Sequence, residues 1–131
     1  MKTLIVEDDL TSRLFLQGIL SRNGECHTAV NGEEAVEAFR IAIVKGEPYD
    51  LVCMDIKLPG IDGVEAVRLM RDVEQKHGVL STNGTKILMA TADETPGGVL
   101  QAFNALCDAY FVKPIDATEL IAKLRTMGLR V

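Results

Sequence analysis

The segment YDLVCMDIKLPGIDG, residues 49–63, decides the fold that the rest of the chain adopts. Residues 51–54 are all apolar, which is typical of a parallel strand that is buried on both faces. A single carboxylate, Asp55, follows this run, and proline and glycine residues then end the strand. Ligands of open α/β sheets bind beyond the carboxyl ends of the strands. We therefore predict that Asp55 is the chemically active residue.

A short apolar run followed by an amphipathic segment occurs five times along the chain. The predicted strands cover residues 2–6, 25–30, 50–54, 86–90 and 109–112. Strands this apolar leave no face for solvent, so the pattern predicts an α/β fold in which helices cover both faces of a parallel sheet. No internal repeat or linker is evident, and we expect residues 1–131 to form one domain.

Two details of the helices are predicted from local signals. Thr11 and Ser12 are both candidates for the N-cap of the first helix. Helical spacing predicts a buried face for that helix formed by Leu14, Phe15, Ile19 and Leu20. The fourth helix is predicted over residues 99–106, after a turn-rich loop over residues 93–98.

The composition excludes several classes of function. Hydrophobic residues make up 47% and charged residues 25% of the chain, which is typical of a soluble globular domain. A net charge of -5 without a basic cluster argues against a nucleic-acid partner. No apolar run approaches the ~20 residues that span a bilayer, so no membrane partner is expected. The opening MKTLIVEDD meets acidic residues before a signal-peptide core could form, which predicts a cytoplasmic location.

Polar side chains follow four of the predicted strands at their carboxyl ends. These are Glu7 and Asp8, Asp55, Thr91, and Lys113. Three carboxylates in one cleft raise one another's pKa, and a divalent cation among them relieves the repulsion. Oxygen ligands without cysteine or histidine favour Mg²⁺ or Mn²⁺ over zinc. A cation, an ammonium and a hydroxyl around one point suit phosphoryl transfer, with Asp55 best placed as the nucleophile.

The set Glu7-Asp8, Asp55, Thr91-Ala92 and Lys113-Pro114 resembles the receiver domain of bacterial two-component response regulators, in particular the single-domain chemotaxis regulators. The resemblance covers essentially all 131 residues. It implies a doubly wound, flavodoxin-like (βα)5 fold with the strand order 2-1-3-4-5. It also implies a phosphorelay protein that a histidine kinase or a histidine phosphotransfer protein phosphorylates on Asp55.

The resemblance implies the ligands of the cation as well. Asp8 would bind Mg²⁺ directly, and Glu7 would often act through a water molecule. Asp55 and the backbone carbonyl of Lys57 would complete the protein ligands. The resemblance gives the cofactor as Mg²⁺, with Mn²⁺ as a second possibility.

The remaining implied roles concern the phosphoryl group and the switch. Lys113 would pair with the phosphoryl oxygens, and its bond to Pro114 would be cis. Thr91 would move toward the phosphoryl group while Tyr110 swings inward behind it, which is a two-state element biased by a local charge. The protein would then be a signalling switch that catalyses only its own phosphorylation and dephosphorylation.

The expected output face comprises the fourth helix, the fifth strand and the last helix. Phe103, Tyr110 and the surface around Ala117 are the candidates for contact with an unknown downstream protein. We expect a monomer or a weak phosphorylation-linked dimer. Because the chain ends soon after the last helix and Met1 directly precedes the first strand, we expect no output domain.

Three alternatives remain open from the sequence. The first alternative is that the chain is a receiver fragment of a hybrid kinase or of a longer regulator. An aspartate-nucleophile phosphatase or phosphotransferase uses similar chemistry, but it normally carries an acid two residues after the nucleophile, where this chain has Lys57. The third alternative is an interaction module that works without phosphorylation. Lys57 itself is hypothesised to pair with the phosphoryl oxygens or with Glu7 and so to change the lifetime of the phosphorylated state.

Overall fold

The computed structural model describes residues 1–79, 84–92 and 106–131. The strands are β1 (Thr3–Val6), β2 (Cys26–Ala29), β3 (Leu51–Asp55), β4 (Lys86–Thr91) and β5 (Ala109–Val112). The α-helices are α1 (Leu10–Leu20), α2 (Gly32–Val44), α3 (Gly63–Lys76) and α4 (Ala117–Thr126). The loop predicted over residues 93–98 lies outside the described residues, as does the helix predicted over 99–106 apart from its last residue. None of the helices in the described ranges is long and apolar enough to cross a membrane.

The five strands form one parallel sheet in the order β2-β1-β3-β4-β5, which confirms the predicted α/β fold. β3 lies at the centre, between β1 and β4. Val6 at the end of β1 pairs with Met54, and Asp55 at the end of β3 pairs with Ala90. The register therefore brings the carboxyl ends of the three central strands to one edge of the sheet.

Side chains that alternate along the strands pack into two cores, one on each face of the sheet. The first core joins β-strand residues to α2 and α3, through residues that include Leu4, Val6, Val52, Met54, Phe39, Val67 and Met70. The second joins the opposite face to α1 and α4, through residues that include Ile5, Cys53, Leu88, Leu16, Leu20, Leu120 and Leu124. Full burial stabilises each such leucine by roughly 1.5–3 kcal/mol relative to exposure. The prediction that helices cover both faces is confirmed.

Helix α1 differs from its prediction in two respects. Its buried residues are Leu16 and Leu20, whereas Leu14 and Phe15 are 56% and 44% exposed, so the predicted inner face was wrong for these two. The N-cap is Asp9, whose carboxylate accepts a hydrogen bond from the Ser12 N–H at 2.9 Å. The helix therefore begins at Leu10, and the predicted caps Thr11 and Ser12 lie within its first turn.

A partly buried ion-pair network lies at the amino-terminal end of the sheet, around Arg71 of α3. Its guanidinium lies 2.7 Å from the Glu74 carboxylate and 2.9 Å from Asp108. It also donates hydrogen bonds to the carbonyls of Thr85 and Leu106 at 2.8 and 2.9 Å. The network therefore ties α3 to the residues that precede β4 and β5.

Candidate functional site

Three carboxylates converge at the carboxyl edge of the sheet, as the sequence predicts. One oxygen each of Glu7, Asp8 and Asp55 lies within 4.8 Å of the other two. Glu7 and Asp8 directly follow β1 and Asp55 ends β3, so the parallel pairing of these neighbouring strands brings the acids together. Glu7 is 2% exposed and Asp55 8%, while Asp8 is open to solvent.

Lys113 provides the positive charge of this cluster. Its Nζ lies 2.6 Å from Glu7 Oε2 and 3.5 Å from Asp55 Oδ2. Burial raises the pKa of Asp55 to about 6, and the charge of Glu7 adds to this while Lys113 opposes it. Burial lowers the pKa of Lys113, but its hydrogen bond to Glu7 and the charge of Asp55 outweigh burial and raise it overall.

Glu7 is held in place by contacts from the start of α1. The Asp9 N–H donates to Glu7 Oε1 at 3.2 Å, and the Arg13 guanidinium donates to the Glu7 carbonyl at 3.0 Å. The Glu7 N–H donates to the Ala29 carbonyl at 3.1 Å. Sequence reasoning missed Asp9 and Arg13, and the available signal was a basic residue on the first turn of the helix that follows the acids.

Thr91 and Tyr110 lie where the sequence places them, at the end of β4 and on β5. Thr91 is 1% exposed, and its carbonyl accepts a hydrogen bond from the Lys113 N–H at 2.8 Å. Tyr110 is half-buried and packs against the first core. The Lys113–Pro114 peptide bond is cis, as the resemblance implies.

The loop between β3 and α3, residues 56–62, borders the three acids. Its base is closed by a hydrogen bond from the Gly63 N–H to the Ile56 carbonyl at 2.7 Å. A Cβ on Gly63 would lie 2.2 Å from the Asp55 carbonyl oxygen, so only glycine fits beside the backbone of Asp55. The Lys57 side chain is exposed and forms no ion pair with a described residue, whereas Glu7 is paired with Lys113.

The donor set suits a hard divalent cation. Glu7, Asp8 and Asp55 offer carboxylate oxygens, and with Lys113 they carry a formal charge of -2 when all four are ionised. Burial, and after it the charge of Glu7, raise the pKa of Asp55, so its charged form is disfavoured without a cation. Mg²⁺ binds oxygen ligands of this kind and keeps several waters, for which the exposure of Asp8 leaves room.

A cleft of about 410 Å³ adjoins the acids between α1 and the segment after β5. Its walls include Glu7, Phe15, Lys113 and Ile115. Beside it, α1 exposes three large apolar side chains: Leu10 at 57%, Leu14 at 56% and Phe15 at 44%. Of these three residues, Phe15 also lines the cleft, and the three together are called the α1 patch below.

Comparison with known proteins agrees with this architecture. The response regulator receiver domain family matches residues 3–125. The transcriptional regulatory protein ResD of Bacillus subtilis is 33% identical over 129 residues, which are 96% of this chain and 47% of ResD. The receiver domain of Saccharomyces cerevisiae Ssk1, solved with the histidine phosphotransfer protein Ypd1, is 29% identical, with a TM-score of 0.82 over 98% of this chain and 88% of that one.

A second solved structure carries ligands of the expected chemistry. The receiver domain of the Arabidopsis thaliana histidine kinase CKI1, in complex with Mg²⁺ and BeF3⁻, is 26% identical, with a TM-score of 0.81 over 97% of this chain and 89% of that one. The chain belongs to the response regulator receiver domain family of two-component systems. Members of this family are signalling switches rather than classical enzymes. The chain spans about half the length of ResD, and the relatives include both regulators and histidine kinases.

Proposed function

We propose that Asp55 accepts a phosphoryl group from a phosphohistidine of a histidine kinase or a histidine phosphotransfer protein. The observation that carries the proposal is the position of Asp55 at the end of the central strand. There it lies within 4.8 Å of two further carboxylates and 3.5 Å from the Lys113 ammonium. A buried carboxylate beside both a cation site and a lysine is equipped to attack phosphorus.

The proposed reaction is an in-line displacement. A carboxylate oxygen of Asp55 attacks the phosphorus atom and forms an acyl phosphate P–O bond. The P–N bond of the phosphohistidine breaks, and its electron pair returns to the imidazole nitrogen. Lys113 lies close enough to Asp55 for its ammonium to balance charge on the transferred oxygens.

Glu7, Asp8, Asp55 and the backbone carbonyl of Lys57 are the proposed ligands of Mg²⁺, with Mn²⁺ as a substitute. When bound, the cation supplies charge neutralisation for the phosphoryl oxygens. A bound cation would relieve the repulsion among the acids, and Asp55 is one of its proposed ligands. We therefore expect wild type to bind the cation more tightly than a variant that lacks Asp55.

Thr91 and Tyr110 are the proposed switch. Thr91 is buried at the end of β4 and directly follows Ala90, which pairs with Asp55, and this position supports the proposal. Tyr110 is half-buried against the first core, so an inward movement would bury more of its ring. Of the proposed output face for an unknown downstream protein, Phe103 lies outside the described residues and Ala117 is half-buried at the start of α4. A monomer or a weak phosphorylation-linked dimer and a cytoplasmic location remain predictions.

The α1 patch is the proposed docking surface for the phosphodonor. A donor histidine must reach Asp55, so its protein must touch the rim of the site, and exposed apolar residues favour a protein contact there. Phe15→Ser should slow phosphoryl transfer from a phosphotransfer protein without slowing phosphorylation by acetyl phosphate. Equal slowing with both donors would contradict this docking surface.

The test of the proposed function is incubation with acetyl phosphate and Mg²⁺, followed by intact mass measurement. Wild type should gain one phosphoryl group that hydroxylamine removes, as expected of an acyl phosphate. Asp55→Asn should gain none, and Asp72→Asn, which changes an exposed acid of α3, should behave like wild type. Absence of labelling in wild type with every small phosphodonor would favour the phosphorylation-independent interaction module.

The hydrolase alternative gains no support from the site. A phosphatase of that class needs a carboxylic acid two residues after the nucleophile to protonate the leaving group. The residue there is Lys57, which is exposed and has no carboxyl group.

A further inference from the structure

The loop of residues 56–62 is fastened to helix α2 by one charged side chain. Glu33, in the first turn of α2, accepts a hydrogen bond from the Ile61 N–H through Oε1 at 2.7 Å. A charge-assisted hydrogen bond of this length is among the stronger contacts that an exposed residue makes. Glu33 thus connects α2, which the proposed chemistry does not otherwise use, to the loop beside Asp55.

Two glycines allow this contact to form. A Cβ on Gly60 would lie 2.6 Å from both carboxylate oxygens of Glu33, and Gly60 has a φ of +77°, a conformation that favours glycine. A Cβ on Gly32 would lie 2.6 Å from Ile61 Cγ1, so Ile61 packs closely on the first residue of α2. The loop tip is therefore fitted to the start of α2 by both packing and hydrogen bonding.

These contacts fix the loop on both sides of Lys57. On one side, the Ile56 N–H donates to the Ala90 carbonyl at 3.0 Å, and the Ile56 carbonyl accepts from Gly63. On the other side, Ile61 is held by Glu33. Residues 57–60 span the distance between two anchored positions, which reduces the number of conformations that their backbone can adopt.

We propose that Glu33 is a positioning residue of the phosphoacceptor site, which holds residues 57–60 in the conformation that binds the cation and the phosphoryl group. This inference rests on the proposed function of Asp55 and on the backbone carbonyl of Lys57 as a cation ligand. Glu33 contacts neither Asp55 nor the other acids and acts through the loop alone.

A second role of Glu33 must be separated from this one. A carboxylate in the first turn of a helix also interacts favourably with the positive end of the helix dipole. Glu34 occupies the same turn, is exposed and carries the same charge, but its side chain makes no hydrogen bond with a described residue. Glu34→Ala is therefore the matched control, and Glu33→Gln tests rescue because its amide oxygen still accepts a hydrogen bond.

The first measurement is amide hydrogen exchange of Ile61 by NMR in the absence of divalent cations. Glu33→Ala should lower the protection of the Ile61 amide by about tenfold, since it removes a charge-assisted bond. Glu33→Gln should retain most of the protection, and Glu34→Ala should match wild type. Unchanged protection in Glu33→Ala would overturn the proposal.

The second measurement is Mg²⁺ affinity by NMR titration, together with the rate of phosphorylation by acetyl phosphate. Glu33→Ala should weaken Mg²⁺ binding by roughly tenfold, in the range found when residues that support metal ligands are removed. Gly60→Ala should also weaken binding, because a Cβ there would meet the Glu33 carboxylate and because a φ of +77° strains a residue other than glycine. Glu34→Ala should leave affinity and rate unchanged.

The outcomes separate this inference from the proposed function. If wild type neither binds Mg²⁺ nor accepts a phosphoryl group, the proposed function fails and the role of Glu33 fails with it. If wild type does both and Glu33→Ala does both equally well, only the role of Glu33 is refuted. If Glu34→Ala loses as much Mg²⁺ affinity as Glu33→Ala, the effect comes from the helix dipole, and the positioning role is again refuted.

Discussion

Lys113 Nζ lies 2.6 Å from Glu7 Oε2 and 3.5 Å from Asp55 Oδ2, so the ammonium is bound more closely by Glu7 than by the proposed phosphoacceptor. Glu7 is 2% exposed and needs a counter-charge, because a buried carboxylate without a partner is costly. Lys113 therefore has a structural role in addition to its proposed role in phosphoryl transfer.

Lys113→Ala should lower the free energy of unfolding by about 2–4 kcal/mol, because it leaves the buried Glu7 carboxylate without its counter-charge. The double variant Lys113→Ala with Glu7→Gln should lose at least about 1 kcal/mol less than the sum of the two single changes. Urea unfolding without divalent cations measures both. Lys57→Ala, which removes an exposed lysine from the same edge of the sheet, should change stability by less than about 0.5 kcal/mol. Equal losses for the two lysines would contradict this prediction.

Asp55→Asn should stabilise the cation-free protein at neutral pH. Burial and Glu7 raise the pKa of Asp55 from 3.8 to about 6, so the folded state holds more protons than the unfolded state between pH 4 and 6. Stability from this group is fully present below pH 4 and is lost as pH rises through 6. Allowing for partial solvent screening, Asp55→Asn should gain on the order of 1–2 kcal/mol between pH 4 and pH 7.

Urea unfolding of wild type and Asp55→Asn across this pH range, with a chelator present, measures the effect. Asp72→Asn is the control and should show no comparable gain, because Asp72 is exposed on α3. A stability difference between Asp55→Asn and wild type that does not change from pH 4 to pH 7 would show that the Asp55 pKa is not raised.

Arg71→Met should destabilise the fold much more than Arg68→Met on the same helix. Arg71 is 11% exposed and paired with the buried Glu74 and with Asp108, so its loss leaves the buried Glu74 carboxylate without its counter-charge and should cost about 3–5 kcal/mol. Arg68 forms only an exposed pair with Glu65 at 3.7 Å, worth less than about 0.5 kcal/mol. Thermal and urea unfolding compare the two variants, and similar losses would argue against the network as a source of stability.

Lys57→Ala should shorten the half-life of the phosphorylated state by about 2- to 5-fold, the size expected from losing an exposed ion pair. The Lys57 ammonium makes no ion pair with a described residue before phosphorylation, so it is available to pair with the phosphoryl oxygens. Loss of radiolabelled phosphate from the purified phosphoprotein measures the half-life. The half-life of Lys57→Arg should stay close to that of wild type. Equal half-lives for wild type and Lys57→Ala would refute the hypothesis.

The fold was largely predictable because apolar runs bounded by turns carry most of the information. The bounds of β5 are those predicted, since the apolar run over residues 109–112 lies between Asp108 and Lys113. Helix α1 was less predictable, because LTSRLFLQGIL is apolar on more than one side and its pattern does not fix which leucines face the core. The strand order came from the family resemblance, because apolar runs alone do not specify neighbours in a sheet.

The site was predictable to the extent that strand ends determine it. Glu7, Asp8 and Asp55 converge because parallel strands end at one edge, which follows from the chain order of strands and acids. The role of Glu33 was not predictable, since its partner Ile61 lies 28 residues away and no motif links them. Arg71 likewise meets Asp108 across 37 residues, and its spacing to Glu74 is the same as that of the exposed pair Glu65–Arg68.

The ion pair between Glu7 and Lys113 joins residues that are 106 positions apart in the chain. Closing so long a loop is entropically expensive, and it requires β1, β3, β4 and β5 to be in register at the same time. A partly folded chain in which β5 has not joined the sheet therefore presents an acidic edge without its lysine. The proposed phosphoacceptor site is therefore complete only when β5 has joined the sheet and Lys113 lies beside Glu7 and Asp55.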